Sequence, residues 1–261
     1  MAGDDGGQKA EGVPPSHDIH RVIREEGEAQ LDRHLGAIAW SALAAGLSMG
    51  FSFLTVAVLQ TGLPDAPWRH LVAAAGYPLG FLIVILGKQQ LFTESTLTAV
   101  LPVLTEPSRL PRLLVFWALV LVVNLVGTWL FAFAICHETL FKPELWAALR
   151  ALADEAIQDP FWPMLVKSIL AGWLIALTVW LLPGAGPSRI WIIFLVTYVV
   201  GAAEFSHIIA GSAEAAFAVI GGQHGLADYV FRFAVPTLIG NTIGGVALVA
   251  VLNHAPLATE N

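Results

Sequence analysis

Six long apolar stretches separated by short polar segments dominate the pattern of this chain. They occupy about 36–60, 71–91, 113–136, 164–182, 190–210 and 230–252. A helix that crosses a bilayer needs ~20 predominantly apolar residues, and each stretch meets or approaches that length. The connections contain glycine and proline, which end helices. The pattern predicts an all-α polytopic membrane protein whose membrane domain covers residues 35–253.

Two of the predicted spans are interrupted by polar residues. Phe92-Thr93-Glu94-Ser95 follows the second span, and Phe205-Ser206-His207 lies in the fifth. Each is followed by an apolar piece too short to cross, at 97–104 and 213–220. A broken helix in a membrane frees backbone N–H and C=O groups, which are tolerated only where protein or a water-filled cavity satisfies them. We therefore predict that helices 2 and 5 are broken and that a polar path joins the breaks.

The breaks lie at corresponding places in two halves of the chain, about 35–137 and 161–253. Each half holds three spans, so the second half is inverted in the membrane relative to the first, as in many transporters. Six spans place both termini on one side of the bilayer. Lysine and arginine are more frequent on the side of the N-terminus, which predicts that both termini are cytoplasmic.

The segments outside the membrane domain are short. Residues 1–15 have the composition of a disordered tail, and residues 254–261 form a C-terminal tail. Residues 16–34 are predicted to form a charged surface helix with Ser16 as its N-cap. Its partly apolar face consists of Ile19, Val22, Ile23 and Leu31. This face would lie on the membrane surface, although a solvated helix fits the same pattern.

The composition supports a membrane protein and excludes other classes. Hydrophobic residues make up 56% of the chain and charged residues 13%, with a mean hydropathy of +0.71, which excludes a soluble domain. The net charge of −7 comes largely from the tail and the connections, so it indicates no cationic partner and no nucleic acid. The single cysteine, Cys136, cannot form an intramolecular disulfide.

The residues at the second break do not fit an enzyme or a metal centre. Ser206 and His207 are neighbours, so their side chains diverge and cannot form a catalytic dyad by themselves. Glu204 and His207 have a spacing found at di-iron sites, but the second such motif that those sites need is missing. The sequence predicts no enzyme activity, no cofactor and no metal.

His207 is the ionisable residue that the pattern singles out. It lies beside a break that should reach the middle of the membrane, where ionisable residues are costly to bury and functional by default. Its imidazole could give a small anion a hydrogen bond or a proton; a neutral histidine bonded within the protein is the alternative. Thr93 at the other break offers a hydroxyl group to His207 or to the permeant, or it caps a helix.

Two asparagines and two glycines lie in the apolar helices that follow the breaks. Asn124 and Asn241 would bond the backbone freed at the breaks, a supporting role that we favour over contact with a substrate. Gly127 and Gly244 would permit close contact between helices.

Four charged residues lie at the margins of the spans. Glu94 and Glu204 would be counter-ions or helix N-terminal carboxylates. Lys88 and Lys167 would raise the local anion concentration at a pore mouth, or extend to the membrane interface.

Three ordered motifs around these residues resemble the formate/nitrite transporter family, in particular its YfdC-like branch. They are Leu91-Phe92-Thr93-Glu94-Ser95-Thr96, Phe205-Ser206-His207-Ile208-Ile209-Ala210 and Ile239-Gly240-Asn241-Thr242-Ile243-Gly244-Gly245. The resemblance covers about 30–252, the full membrane region.

The resemblance implies an aquaporin-like fold of six spans, a homopentamer with one pore per protomer, and transport of small monocarboxylates or nitrite-like monovalent anions. It places His207 at the centre of the pore with Thr93 as its partner. It also implies apolar constrictions, formed near Leu91, Phe92, Tyr77 and Phe81, with Val200 at a position that is aromatic in the family.

The chain departs from the family at positions near the expected pore. Gly172 stands where formate channels have an asparagine, and Ser206 stands where they have an acidic residue. The lysine that they carry before the fourth span has no counterpart within Asp154-Glu155-Ala156-Ile157. These departures weaken the expectation that formate itself is the substrate.

The sequence thus predicts a channel or transporter for small monovalent anions of weak acids in the lipid bilayer of a bacterial inner membrane. A facilitator of neutral small solutes on the same fold is the first alternative, because the attracting lysine is missing. A non-conducting membrane scaffold is the second.

Overall fold

The computed structural model describes residues 14–252 of the chain. The predicted C-terminal tail and most of the predicted N-terminal tail lie outside these residues. All the regular elements within 14–252 are helices. In chain order they are α1 (Ser16–Asp32), α2 (Leu35–Gly62), α3 (Arg69–Leu86), α4 (Phe92–Thr98), α5 (Val100–Thr105), α6 (Leu110–Ile135), α7 (Pro143–Gln158), α8 (Phe161–Leu181), α9 (Arg189–Ala202), α10 (Ala210–Ile220) and α11 (Leu226–Val251).

Five helices of the described part are long and apolar enough to cross a membrane: α2, α3, α6, α8 and α11. The predicted fifth span, 190–210, is divided instead. α9 ends at Ala202, and residues 203–209 are not helical before α10 begins. The predicted second span is likewise shorter, since α3 ends at Leu86 and residues 87–91 form the first break. α4 and α10 then continue from the breaks as short helices.

Two positions after its last residue, each broken helix is followed by a non-glycine residue in the left-handed conformation. Lys88 and Glu204 each have a φ of 53°. The N–H of the next residue bonds to the carbonyl five positions before it, at 3.0 Å for Gln89 and 2.9 Å for Phe205. Helices commonly end in this way, usually on glycine. Glu204 therefore lies just beyond the C-terminus of α9, and its interpretation as a helix N-terminal carboxylate is wrong. Glu94, by contrast, lies in the first turn of α4.

α1 packs against the protein through the face that was expected to lie on the membrane surface. Its buried residues are Ile19, Ile23, Gly27 and Leu31. Gly27 lies so close to α4 that a Cβ atom there would overlap the backbone carbonyl of Thr98. Val22, which belongs to the predicted face, is 40% exposed. The N-cap prediction is wrong by one residue, because Pro15 holds that position and no side chain caps the helix.

α7 lies where the sequence pattern predicts only a connection between the two halves. Leu149, Ala153 and Ile157 are its buried residues, and this spacing of four places them on one face of a helix. Pro143 occupies the first turn, a position that proline favours. α7 packs against α2 and α10, so it covers one end of the membrane domain.

In each half, the first and third spans touch at a pair of glycines. A Cβ atom on Gly127 in α6 would lie 2.9 Å from the Cα atom of Gly46 in α2. A Cβ atom on Gly244 in α11 would lie 2.9 Å from the carbonyl carbon of Gly172 in α8. Small residues allow this backbone-to-backbone packing of membrane helices. Gly127 and Gly244 lie in the close contacts predicted for them, and Gly46 and Gly172 are their partners.

Candidate functional site

The two breaks meet at a hydrogen bond between His207 and Thr93. The Nε2 atom of His207 lies 2.7 Å from the Oγ1 atom of Thr93, although the residues are 114 positions apart in the sequence. Both residues are only 1% exposed. The structure thus brings together the histidine and the hydroxyl group that the sequence placed at the two breaks.

The backbone around His207 fixes which ring nitrogen carries the proton. The Nδ1 atom accepts hydrogen bonds from the N–H groups of Ile209 and Ala210, at 3.3 and 3.1 Å. Because both partners are donors, Nδ1 carries no proton, and in the neutral ring the proton lies on Nε2. The Nε2–H group therefore donates to Thr93 Oγ1. The hydroxyl group of Thr93 accepts this bond, so its own proton remains able to donate to another group.

Asn124 on α6 holds the first break. Its Oδ1 atom accepts from the Phe92 N–H at 3.0 Å. Its Nδ2 atom donates to the carbonyls of Ala42 and Gln90, at 2.7 and 3.0 Å. The buried amide thus satisfies backbone groups that the break leaves free, as membrane interiors require.

Asn241 on α11 holds the second break with the same pattern. Its Oδ1 atom accepts from the Ile208 N–H at 2.8 Å, and its Nδ2 atom donates to the carbonyls of Ser168 and Ser206, at 2.8 and 3.0 Å. Each asparagine lies a similar distance along the chain from the backbone N–H group that donates to it: 32 positions for Asn124 and 33 for Asn241. These contacts fit the supporting role favoured from the sequence, since both polar atoms of each amide are bonded to backbone groups.

Two cavities approach this site from opposite ends of the membrane domain. One cavity is lined in part by α7 and is called the α7-side cavity; the other is lined in part by α1 and is called the α1-side cavity. Their volumes are about 440 Å³ and about 450 Å³. Residues that line the α7-side cavity include Tyr77, Glu155, Lys167, Val200, Glu204, His207, Gly211 and Glu214. Residues that line the α1-side cavity include Glu26, Arg33, Ile85, Lys88, Glu94 and Arg189. The two cavities share no lining residue. His207 lines the α7-side cavity, and Glu94, the neighbour of Thr93, lines the α1-side cavity, so the Thr93–His207 bond lies in the wall between them.

The cavities also show that the broken helices run in opposite directions. α3 begins near the α7-side cavity, which Tyr77 lines, and reaches the α1-side cavity at Ile85. α9 begins at the α1-side cavity with Arg189 and reaches the α7-side cavity at Val200. Opposite directions of corresponding helices are what two inverted repeats require.

One aromatic ring contacts His207, and a second ring packs against the first. The ring of Phe81 meets the imidazole edge-on, with centroids 5.0 Å apart and an interplanar angle of 75°. The ring of Tyr77 lies 5.5 Å from that of Phe81. Val200 is fully buried. Three of the residues expected at apolar constrictions are therefore near the histidine or in the cavity that reaches it.

Leu91 and Phe92 do not line either cavity. Leu91 is fully buried, and the ring of Phe92 lies 5.9 Å from that of Trp117 on α6. Trp117 also donates a hydrogen bond to the carbonyl of Ser95 at 3.2 Å. Phe92 thus helps to pack α4 onto α6, and the constriction expected near Leu91 and Phe92 stays a prediction.

An ion pair and two further acidic groups lie at the opening of the α7-side cavity. The Nζ atom of Lys167 lies 2.7 Å from Asp159 and 4.0 Å from Glu204. Burial, and then the negative charge of Glu204, raises the pKa of Glu155. Lys167 thus faces the cavity as an ion-paired cation rather than extending to the membrane interface.

The α1-side cavity has a different set of charges. Lys88 lies 3.3 Å from Glu26 on α1. Arg33 and Arg189 line the same cavity, and so does Glu94, whose buried Oε1 atom has no hydrogen-bond partner. α1, which was predicted to be a surface helix, thus also forms part of the cavity wall.

Glu214 is a cavity residue that sequence reasoning missed. It lies on α10, seven positions after His207, and both residues line the α7-side cavity together with Gly211. Positions i, i+4 and i+7 share one face of a helix, and although α10 begins at Ala210, the Gly211 N–H donates to the His207 carbonyl at 2.9 Å, so the helical spacing extends back to His207. This spacing, with an acidic residue in an otherwise apolar segment, was the available signal.

Comparisons with known proteins give a consistent family. The profile described as formate/nitrite transporter matches residues 17–255. Over 244 residues the chain is 39% identical to Inner membrane protein YfdC of Escherichia coli (strain K12), which covers 93% of this chain and 79% of that protein. Over 240 residues it is 25% identical to Formate channel BtFdhC of Bacillus thuringiensis, which covers 88% of this chain and 91% of that protein.

Solved structures share the fold. A pentameric formate channel with formate bound matches with a TM-score of 0.75 and 20% sequence identity, over 86% of this chain and 98% of that chain. An FNT family ion channel matches with a TM-score of 0.72 and 19% identity, over 92% of this chain and 96% of that chain. The all-α membrane fold expected from the sequence is confirmed.

Proposed function

Because the chain belongs to the formate/nitrite transporter family, we propose that it is a channel or transporter for small monovalent anions of weak acids. Short monocarboxylates and nitrite-like anions are the substrate class. The observation that carries the proposal is the hydrogen bond between His207 and Thr93, at the wall where two cavities from opposite ends of the membrane domain approach each other.

His207 acts on the permeant as a hydrogen-bond donor. Its Nε2–H group and the hydroxyl group of Thr93 are two neighbouring donors that can bind one oxygen of a small anion when their mutual bond opens. A protonated histidine would need a proton on Nδ1, which would cost the bonds from Ile209 and Ala210. This geometry favours the hydrogen-bond role over transfer of a proton to the permeant.

The apolar surroundings reject hydrated ions. Phe81, Tyr77 and Val200 offer few polar atoms around the histidine, so a charged solute would lose its water there at a large cost. A small solute that replaces water by two hydrogen bonds meets a lower barrier. The protein thus acts by selective binding in a narrow path rather than by chemistry on the solute.

The assembly and location follow the relatives. We place the protein in the bacterial inner membrane with cytoplasmic termini, because one relative is named an inner membrane protein and the lysine and arginine distribution agrees. We propose a homopentamer with one pore per protomer, because a structure with the same fold is described as pentameric.

Uptake by proteoliposomes tests the role of His207. The wild-type protein is expected to take up formate, acetate, lactate or nitrite, and His207→Ala is expected to reduce the rate by about tenfold or more. The loss of one buried hydrogen bond to a charged permeant, worth ~1.5 kcal/mol, accounts for a tenfold change. His224→Ala is the matched control, because His224 bonds to Asp154 and lines neither cavity.

The same experiment separates the alternatives. Equal uptake by wild type and His207→Ala contradicts the role of the histidine. Glycerol uptake that hardly depends on pH, without anion uptake, indicates a neutral-solute facilitator. No uptake of any of these solutes by folded protein indicates a scaffold.

A further inference from the structure

A serine on α2 binds the backbone of α3 beside the site. Ser52 is 1% exposed. Its hydroxyl group donates a hydrogen bond to the carbonyl of Tyr77 at 2.6 Å and accepts one from the N–H group of Gly80 at 3.1 Å. We call these two bonds the Ser52 clamp, because one side chain of α2 holds α3 at two points.

The clamp replaces a helix cap that α3 does not make for itself. The turn Ala74–Gly76 is a 3₁₀ helix, and a new α-helical segment begins at Pro78, with Tyr77 in its N-cap position. The first N–H groups of a helical segment have no partner inside that segment, and a serine or threonine at the N-cap commonly accepts from one of them. The Tyr77 side chain makes no such bond, so Ser52 supplies the acceptor from the neighbouring helix.

Two glycines of α3 make room for this contact. A Cβ atom on Gly76 would lie 2.8 Å from the backbone nitrogen of Val56 on α2, and one on Gly80 would lie 2.5 Å from the hydroxyl oxygen of Ser52. Residues four positions apart lie on the same face of a helix, and small residues at this spacing allow close contact between membrane helices. The serine therefore reaches the α3 backbone directly.

The clamped segment carries the two aromatic rings near His207. The Phe81 ring meets the imidazole with centroids 5.0 Å apart, and the Tyr77 ring lies 5.5 Å from that of Phe81. Tyr77 also packs closely against α9, where a Cβ atom on Gly201 would lie 2.7 Å from its Cβ atom. The Ser52 clamp thus fixes the backbone that holds both rings.

The part of α2 that carries the serine is itself packed against the second half of the chain. The ring of the next residue, Phe53, meets that of Phe217 on α10 with centroids 5.5 Å apart, and both rings are fully buried. α10 is the helix that follows His207. Phe53 therefore joins α2 to α10, and Ser52 joins α3 to α2, so the position of the aromatic pair relative to His207 depends on this frame.

The corresponding residue of the second half bonds within its own helix. Ser52 lies six positions after Gly46 in α2, and Thr178 lies six positions after its counterpart in α8, Gly172. The buried Thr178 hydroxyl donates to the carbonyl of Leu174, also on α8, at 3.0 Å. The clamp between helices is thus a feature of the first half, and Thr178 provides a matched control.

We propose that Ser52 is a positioning residue that determines which solutes fit between the aromatic pair of α3 and His207. This inference rests on the proposed function, since it concerns the path that this function uses. With the clamp in place, the gap beside the rings has one size and favours the smallest solutes. Without the clamp, the segment that carries Tyr77 and Phe81 is free to move, so the path discriminates less against larger solutes.

Uptake of formate and of lactate by the same proteoliposomes tests the inference. For Ser52→Ala, the ratio of the lactate rate to the formate rate is expected to rise by about threefold to tenfold, the range that corresponds to the loss of one hydrogen bond. A smaller amount of folded protein lowers both rates equally, so the ratio reports on position rather than on stability. Thr178→Val is expected to keep the wild-type ratio.

Gly80→Ala disturbs the same clamp from the side of α3. The added methyl group would overlap the hydroxyl oxygen of Ser52, so α3 is pushed away from the serine while the hydroxyl group stays in place. The lactate-to-formate ratio is expected to rise in the same direction as for Ser52→Ala. This variant provides the test if Ser52→Ala does not fold.

The outcomes separate this inference from the proposed function. If wild-type uptake depends on His207 but folded Ser52→Ala or Gly80→Ala protein keeps the wild-type ratio or lowers it, the inference is wrong and the proposed function stands. If wild-type uptake does not depend on His207, the proposed function fails and the inference fails with it.

Discussion

Replacing Asn241 with leucine is expected to lower the free energy of unfolding by about 3 kcal/mol or more. The side-chain amide is fully buried and bonds to the Ile208 N–H and to the carbonyls of Ser168 and Ser206. Leucine has a similar size but leaves these three backbone groups without a partner. An unsatisfied buried polar group costs about 1–3 kcal/mol, and membrane lipid offers no replacement.

Thermal unfolding of the purified protein in detergent measures this effect. Thr242→Val is the matched control, because the Thr242 hydroxyl donates only to the carbonyl of Leu238 one helical turn earlier, at 2.8 Å. Asn124→Leu is expected to destabilise the protein as strongly as Asn241→Leu, since its amide has the same three-bond pattern. Equal melting temperatures for Asn241→Leu and Thr242→Val would show that the asparagine does not support the break.

Introducing asparagine at Gly172 is expected to destabilise the protein rather than to restore a formate-channel feature. A Cβ atom on Gly172 would lie 2.6 Å from the Cα atom of Asn241, which no real side chain tolerates. α8 and α11 would have to separate, and the hydrogen bond from Asn241 to Ser168 on α8 would lengthen. Overpacking of this kind costs about 2 kcal/mol, and the distorted second break is expected to lose solute uptake as well.

Gly62→Asn is the control for this substitution, because a Cβ atom on Gly62 meets no other atom within 4 Å. Melting temperature and uptake are measured for both variants. Gly172→Ala separates size from polarity, since even one methyl group would meet the backbone of Asn241. A Gly172→Asn protein as stable and active as Gly62→Asn would refute the close-contact interpretation.

The site was predictable where the sequence itself carried a signal for it. Thr93 and His207 each interrupt an apolar span, and an interrupted span in a membrane must be satisfied inside the protein. Asn124 and Asn241 are polar residues in otherwise apolar helices, so their role as support for the breaks was also visible. The sequence offered the pairing of Thr93 with His207 as one of several roles for Thr93, and the choice among them depends on a fold that joins positions 114 residues apart.

Other features left weaker or misleading signals. Lys88 and Glu204 adopt the left-handed conformation without being glycine, so the ends of α3 and α9 could not be read from composition. α7 carries acidic residues that resemble a solvated connection, and only the spacing of its buried residues shows a helix. Glu214 differs again, because its significance depends on sharing a cavity with His207.

The arrangement of the asparagine bonds has a consequence for how the chain is made. Asn124 binds only groups of the first half of the chain, at Ala42, Gln90 and Phe92, and Asn241 binds only groups of the second. Each half can therefore complete the backbone bonds of its own break as it leaves the ribosome and enters the bilayer. The bond between Thr93 and His207 joins the two halves, so the site cannot be assembled from the first half alone.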